Sequence, residues 1–457
     1  MEQVAVEKKF GKYVMSSMIT MFLQGAYSVI DGLFVSNLIS DTALSAVNVA
    51  WPVIAVINAV GTGVGCGGAV LMSTKQGEGK QEESNVVRAN VILALLVSGI
   101  VVVALFLLML TPLLRLMGAE GELLALAEIY GKIMIGGGLI QIFACGLTPL
   151  LRNDNRAVSA MVIMVGGLVM NLVVDFLFIY VFHLGIAGAA AASVTAQLFT
   201  TVACFLILIM KKNDPLRLSQ FKIKKEYWGK IFKTAVSPFG ISLTPSLLIL
   251  YHNMACLRTG SEMVVNAYAL ISSTVGSYRI LLIGVAEGIQ PLASYAYGAR
   301  DFRAMRSIRN KGIVTAIGVS VALFLFTIAT AGFYPDIYGY SGENAQYAYH
   351  AVMVTAAQLI FTGLVRVTNS YFYAVGKDKY SLFMIYFDPL VMTPITILIL
   401  PMLLGVDGIW LTAVVTQLIL NVVAVGMFLK HEKEMQKMEQ PEKNRIRQNK
   451  TECAEMT

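Results

Sequence analysis

The stretch LRLSQFKIKKEYWGKIFK, residues 216–233, is a basic interruption near the middle of a strongly apolar chain. A membrane-crossing helix needs about 20 mainly apolar residues. Six such segments precede it, roughly 12–37, 45–73, 89–114, 124–150, 157–182 and 186–210. Six follow, roughly 232–257, 263–292, 312–334, 346–374, 380–402 and 406–429. Prolines within them are compatible with spanning helices, because neighbouring helices satisfy the freed backbone groups. Only 63 of 457 residues are charged, 56% are hydrophobic and the mean hydropathy is +0.69. Soluble domains of this total length would need more charge to solvate their surfaces. A disordered chain, a nucleic-acid-binding domain and a typical cytosolic enzyme all fit poorly.

The net charge of +7 resolves into a topology signal. With the N-terminus inside, 30 of the 35 Lys and Arg residues fall on inner connections, the 211–233 connection and the tail. The connections near 38–44, 183–185, 335–345 and 403–405 have none. This positive-inside pattern predicts a multi-pass protein of a bacterial inner membrane with both termini cytoplasmic. The five cysteines are odd in number and lack CxxC spacing, so neither a disulfide framework nor a zinc site is indicated.

The two halves repeat. Leu184-Gly185-Ile186-Ala187-Gly188 with Gln197-Leu198 recurs 220 residues on as Leu404-Gly405-Val406-Asp407-Gly408 with Gln417-Leu418. Ser73-x-x-x-Gly77 with Arg88 recurs 221 residues on as Ser294-x-x-x-Gly298 with Arg309. An even number of helices per half makes both halves enter from the same side. The expected fold is therefore all-α, with twelve transmembrane helices in two six-helix lobes related by a pseudo-two-fold along the membrane normal. Transporters commonly arise this way, with the site between the repeats. The expected boundaries are 1–211 for the first lobe, 212–231 for a solvated cytoplasmic linker, 232–430 for the second lobe and 431–457 for a disordered tail.

Ionisable and polar groups inside the hydrocarbon are costly, which makes each a functional candidate. Helix 1 carries Gln24, Tyr27, Ser28 and Asp31 on one stripe. Helix 5 carries Asn171 and Asp175, four apart and on one face. Helix 6 carries Ser193, Gln197 and Thr200. At 1.5 Å per residue, Asp31, Asp175 and Ser193 each lie roughly 10 Å from the outer end of their helix. Two carboxylates sharing a dry pocket cannot both ionise cheaply, so Asp31 and Asp175 suit a shared proton or a hard cation such as Na⁺. The second half differs, since Asp31 corresponds at the repeat offset to His252. Glu287, Gln358, Arg366 and Asp388 are candidates for lining a substrate cleft, together with Tyr27, Gln24 and His252. Arg366 and Arg279 are equally candidates for structural partners of Glu287 or Asp388. No P-loop, HExxH or GxSxG occurs, and Gly61-x-Gly63-x-Gly65 lies in an apolar helix, where small residues allow close helix approach. An enzyme is not expected, no resident cofactor is called for, and the basic residues do not form a nucleic-acid footprint.

Three segments carry a resemblance: Ala26-Tyr-Ser-Val-Ile-Asp31-Gly-Leu-Phe-Val-Ser36, Met170-Asn171-Leu-Val-Val-Asp175-Phe-Leu-Phe-Ile-Tyr180 and Leu184-Gly-Ile-Ala-Gly-Ala-Ala-Ala-Ala-Ser193. They resemble helices 1, 5 and 6 of multidrug and toxic compound extrusion (MATE) transporters. Leu151-Arg152-Asn153-Asp154-Asn155 and Glu287-Gly-Ile-Gln-Pro291-Leu-Ala-Ser-Tyr-Ala-Tyr-Gly298 are similar to the MepA-like bacterial branch. The resemblance spans all twelve helices. It implies a monomeric secondary antiporter, driven by H⁺ or Na⁺, that exports organic, cationic and amphipathic compounds by alternating access. It also implies a cation-coupling site at Asp31, Asn171, Asp175 and Ser193, with Asp31 and Asp175 ligating Na⁺ if sodium is the driving ion. Three features depart from the family pattern: Cys145 stands near a polar position of helix 4, the helix 1 proline is missing near Met15–Met18, and Asp388-Pro389 is unexpected. A flippase for a lipid-linked, polyanionic precursor is the rival reading within the broader superfamily, and it requires a large, strongly cationic cavity. A passive channel and an intramembrane enzyme are further rivals.

Overall fold

A computed structural model describes residues 9–25, 39–210 and 216–455, and the side chains of these except 41, 218 and 440–455. The first half comprises α1 (9–25), α2 (Asp41–Gly77), α3 (Gln81–Leu116), α4 (Gly121–Gly136), α5 (Gly138–Asn153), α6 (Ala157–Asp175) and α7 (Gly185–Ile209). The second comprises α8 (Lys225–Arg258), α9 (Glu262–Gly298), α10 (Phe302–Thr330), a short α11 (Phe333–Ile337), α12 (Gly342–Ala356), α13 (Gln358–Ala374), α14 (Asp378–Phe387), α15 (Thr393–Leu404) and α16 (Asp407–Glu455). Ten helical spans are long and apolar enough to cross a membrane, and α4–α5, bent by 54°, makes an eleventh. With α1 these are the twelve expected spans. Their outward faces carry large apolar side chains such as Leu108, Val314 and Met402, which suits contact with lipid rather than water.

The repeat seen in the sequence is a repeat of structure. α2, α3, α4, α5, α6 and α7 each begin 220 to 222 residues before α9, α10, α12, α13, α14 and α16. The fourth span of each half breaks at matching points, Gly137 and Ala357. The fifth span of each half contains a widened π-helical segment, Phe176–Val181 and Asp388–Met392. In the second, Pro389 has no N–H to give the helical ladder, and the Thr393 N–H bonds to the Asp388 carbonyl instead.

Equivalent glycines join the lobes reciprocally. A Cβ on Gly77 would strike the Tyr295 carbonyl, and one on Gly298 would strike the Thr74 carbonyl. Gly63 and Gly67 of α2 press on Phe239, Ala235 and Ile231 of α8, while Gly284 and Gly288 of α9 press on Met18 and Val14 of α1. Such exchange is what a two-fold axis between the lobes requires. Gly61 and Gly65, meanwhile, face Ile142 and Gly146 of α5, so the glycine-rich run is a packing device on two faces of one helix.

Two expected boundaries change. The 212–231 segment is not a loose linker throughout. α8 already starts at Lys225, Tyr227 and Ile231 are buried in the first lobe's core, and the fully buried Asn90 clamps the connection. Its Nδ2 donates to the Lys222 carbonyl at 3.0 Å, and its Oδ1 accepts from the Lys224 N–H at 3.0 Å and the Trp228 indole at 3.1 Å. The expected disordered tail, likewise, is helical over 431–439 as a continuation of α16. Met435 and His431 are buried, Glu432 pairs with Arg306 and Arg309, Glu434 with Lys377, and Glu439 with Arg306. The acidic side chains of this stretch thus have basic partners, while Lys433 and Lys437 stay exposed.

Candidate functional site

In the first lobe, Asn171 and Asp175 occupy the last turn of α6, immediately before the π-helical segment. Both are buried, 4% and 1% exposed, and Asn171 Nδ2 donates to Asp175 Oδ2 at 2.8 Å. α7 packs antiparallel on this helix. Gly167 abuts Thr200 and Gly188 abuts Phe178, and that register brings Ser193 level with Asp175. The donor in the Asn171–Asp175 bond is a neutral amide rather than a charged group. Asp31 and Tyr27 lie outside the described residues. Gln24 is exposed on α1. Near Cys145 lie two polar side chains, Thr62 and Asn58, with Asn58 Oδ1 3.7 Å from the thiol sulfur.

A cavity of about 820 Å³ opens between the lobes, with Trp51 and Tyr130 of the first lobe on one side and His252, Tyr268, Gln358, Arg366 and Asp388 of the second on the other, among others. His252, Gln358, Arg366 and Asp388 thus come together as expected, and Arg279 joins them. His252 Nδ1 donates to the Leu248 carbonyl at 2.8 Å, and its ring stacks on Tyr268 with centroids 5.4 Å apart. Asp388 is buried, and its two oxygens accept from Thr393 Oγ1 at 2.8 Å and Gln417 Nε2 at 3.1 Å. Thr393 follows the π segment and Gln417 lies on α16, so the bulge created at Pro389 brings the carboxylate to both donors.

Glu287 does not line this cavity, which corrects the expectation from sequence. It lies at the basic end of the bundle, where its Oε2 is 2.6 Å from Arg152 Nη1 of α5. Arg152, an inner-side basic residue of the Leu151–Asn155 motif, is thus also an ion-pair partner. One turn away, Asn153 and Gln290 exchange hydrogen bonds at 2.9 and 3.1 Å. The two motifs quoted for the resemblance, Leu151–Asn155 and Glu287–Gly298, are therefore the two sides of one lobe–lobe contact. Together with the Gly77–Gly298 crossing they close the basic end, while the cavity occupies the other half. Arg366 is a structural partner of neither acid, since Glu287 takes Arg152 and Asp388 takes Thr393 and Gln417.

Sequence reasoning missed Arg152, Thr393 and Gln417 as partners. Gln417 had left a signal, as half of the Gln197/Gln417 repeat pair.

Comparison with known proteins agrees with this geometry. Residues 16–177 and 241–398 match the MatE family. The chain is 22% identical over 426 residues to the multidrug export protein MepA of Staphylococcus saprophyticus, covering 93% of this chain and 94% of that one. It is 24% identical over 415 residues to the MepA of Staphylococcus aureus strain N315, covering 89% and 90%. Among solved structures, an outward-facing multidrug resistance MATE transporter of the MOP superfamily superposes with a TM-score of 0.90 at 23% identity, covering 96% of this chain and 99% of that one. These relatives are exporters rather than enzymes, and the chain belongs to the MatE family of multi-pass membrane transporters.

Proposed function

We propose that the protein is a secondary active antiporter that exports organic, amphipathic compounds in exchange for H⁺ or Na⁺. One observation carries this reading: a buried amide–carboxylate pair in the first lobe is separate from a drug-sized cavity lined mainly by the second and bordered by α1, α2 and α4 of the first. Two sites in two lobes can be coupled only if ion and cargo stabilise different states. The closed basic end and the cavity in the opposite half correspond to a cargo-releasing, outward-facing state, with the basic end and both termini in the bacterial cytoplasm. Ion binding at Asn171 and Asp175, with Asp31 and Ser193 completing the site, would bias the lobes toward that state and drive cargo out. The return requires the Arg152–Glu287 and Asn153–Gln290 contacts to part. The polyanion flippase reading gains two cavity arginines, but Asp388 offsets one of them, and a cavity of about 820 Å³ suits a single drug-sized molecule.

The test is efflux of a fluorescent dye from proteoliposomes with Na⁺ and pH gradients imposed separately. Accumulation against the dye's own gradient under one of them supports antiport. Flux that runs only down the dye gradient, whatever the ions, would establish a passive channel.

A further inference from the structure

The cavity carries two guanidinium groups that the proposed function leaves without a task. Arg279 of α9 and Arg366 of α13 both border it. Arg366 is only 8% exposed. Neither side chain donates a hydrogen bond or enters an ion pair among the described residues. A guanidinium has five N–H donors, and a buried charge is ordinarily paired. Both border the same cavity as Asp388.

Asp388 does not release them from that position. Both of its oxygens are already engaged, by the Thr393 hydroxyl and the Gln417 amide. His252 adds no fixed charge, because its Nδ1–H is taken by the Leu248 carbonyl and the ring lies flat on Tyr268. The described lining thus holds two positive side chains and one negative. A cationic cargo would meet net repulsion here. An oxyanion would meet two planar donor forks in a partly dehydrated site, where charge-assisted bonds are strongest. Around them, Trp51, Tyr268 and Ile271 give an apolar and aromatic surface.

We propose that this cavity binds amphipathic organic anions or zwitterions, with carboxylate, sulfonate or phosphate oxygens held between Arg279 and Arg366 and the apolar body against Trp51 and Tyr268. This deepens the exporter reading and rests on it for its physiological sense. It departs from the cationic cargo that the family resemblance implies.

The test uses the full-length protein in phosphatidylcholine nanodiscs, with binding read by fluorescence polarisation. Carboxyfluorescein is the anionic probe and ethidium the cationic one. The wild type should bind carboxyfluorescein more tightly than ethidium. Arg279→Gln and Arg366→Gln should each weaken carboxyfluorescein by about ten- to a hundredfold, the loss of a charge-assisted hydrogen bond. Arg366→Lys should weaken it less, and ethidium should bind no more weakly in any of these variants. Competition by 2-naphthoate identifies a free organic acid as the natural chemistry, and competition by dihexanoylphosphatidylglycerol alone identifies a lipid headgroup; either supports the anion site. Wild-type protein that binds ethidium as tightly as carboxyfluorescein overturns the proposal without recourse to any variant. So does unchanged carboxyfluorescein affinity in the folded double variant. Gradient-driven ethidium export without carboxyfluorescein binding would overturn this inference and leave the exporter reading standing. Carboxyfluorescein binding without ion-driven movement of any dye would do the reverse.

Discussion

The fifth span of each lobe holds a buried aspartate beside a π-helical segment, and the two aspartates are treated in opposite ways. Asp175 is bonded to the amide of Asn171 one turn earlier on its own helix. Asp388 is bonded by two neutral donors, one of them from another helix, and faces two arginines across a cavity. The positions are not equivalent in the repeat. At an offset of 221, Asp388 falls at Gly167, where the first lobe uses the missing side chain to press α6 on Thr200 of α7. Duplication supplied the scaffold, namely matching breaks, matching π segments and reciprocal glycines. The polar chemistry was then placed separately in each half. On the proposed function, the first lobe takes the small cation and the second supplies most of the cargo cavity.

The same asymmetry appears at the basic end. Glu287 corresponds at that offset to Cys66, so the Arg152–Glu287 pair exists on only one side of the axis. Breaking it gives the largest expected loss of stability. Removing one partner of a buried ion pair leaves the other charge uncompensated, and Arg152→Gln should cost about 3 kcal/mol. The paired replacement Arg152→Leu with Glu287→Leu should recover most of that, as read by thermal unfolding in detergent. If single and double variants unfold alike, the pair does not hold the lobes together.

A symmetric feature comes next. Gly298→Val places a side chain against the Thr74 carbonyl, and Gly77→Val does the same at Tyr295. Each should cost about 2 kcal/mol through overpacking, and the two costs should be similar, again by thermal unfolding. Unequal costs would mean that the lobes differ in their packing as well as in their chemistry.

The smallest effect belongs to the cargo lobe. Thr393→Val removes one of the two donors to Asp388 and should destabilise the fold by about 1 kcal/mol. With that oxygen released toward Arg279 or Arg366, binding of an anionic probe should weaken while ion coupling is retained. Ion coupling lost together with cargo binding would argue against the division between lobes.

Most of this fold could be read from the sequence because membrane spans are long, apolar and flanked by basic residues. The repeat is detectable partly because Gly77 and Gly298 sit where two backbones meet and an added side chain would clash. The site was less legible. Asn171 with Asp175 was visible as an i, i+4 pair on one helix. Glu287 lies at the inner end of its helix as the sequence indicates, but it does not line the cleft, because it is taken by Arg152, 135 residues away, whose charge the positive-inside pattern already explains. Asp388 was seen, but its donors were not, because a π bulge and a different helix deliver them. The linker reads as solvated from its charge, and the tail as disordered from its charge and lack of apolar periodicity. Asn90 fixes the backbone of the linker, and the Arg306–Glu432 network shows that charge in the tail can be satisfied within the protein.

The central claim is that the first lobe couples an ion and the second carries the cargo. Its most direct test compares wild type with Asp175→Asn in proteoliposomes, under separately imposed pH and Na⁺ gradients, alongside dye binding to the cavity. The account predicts that the variant loses gradient-driven efflux by about five- to a hundredfold, the range of a typical coupling free energy, while cavity affinity changes by less than about twofold, given the separation of the two sites. Fully retained gradient-driven efflux in Asp175→Asn would contradict it.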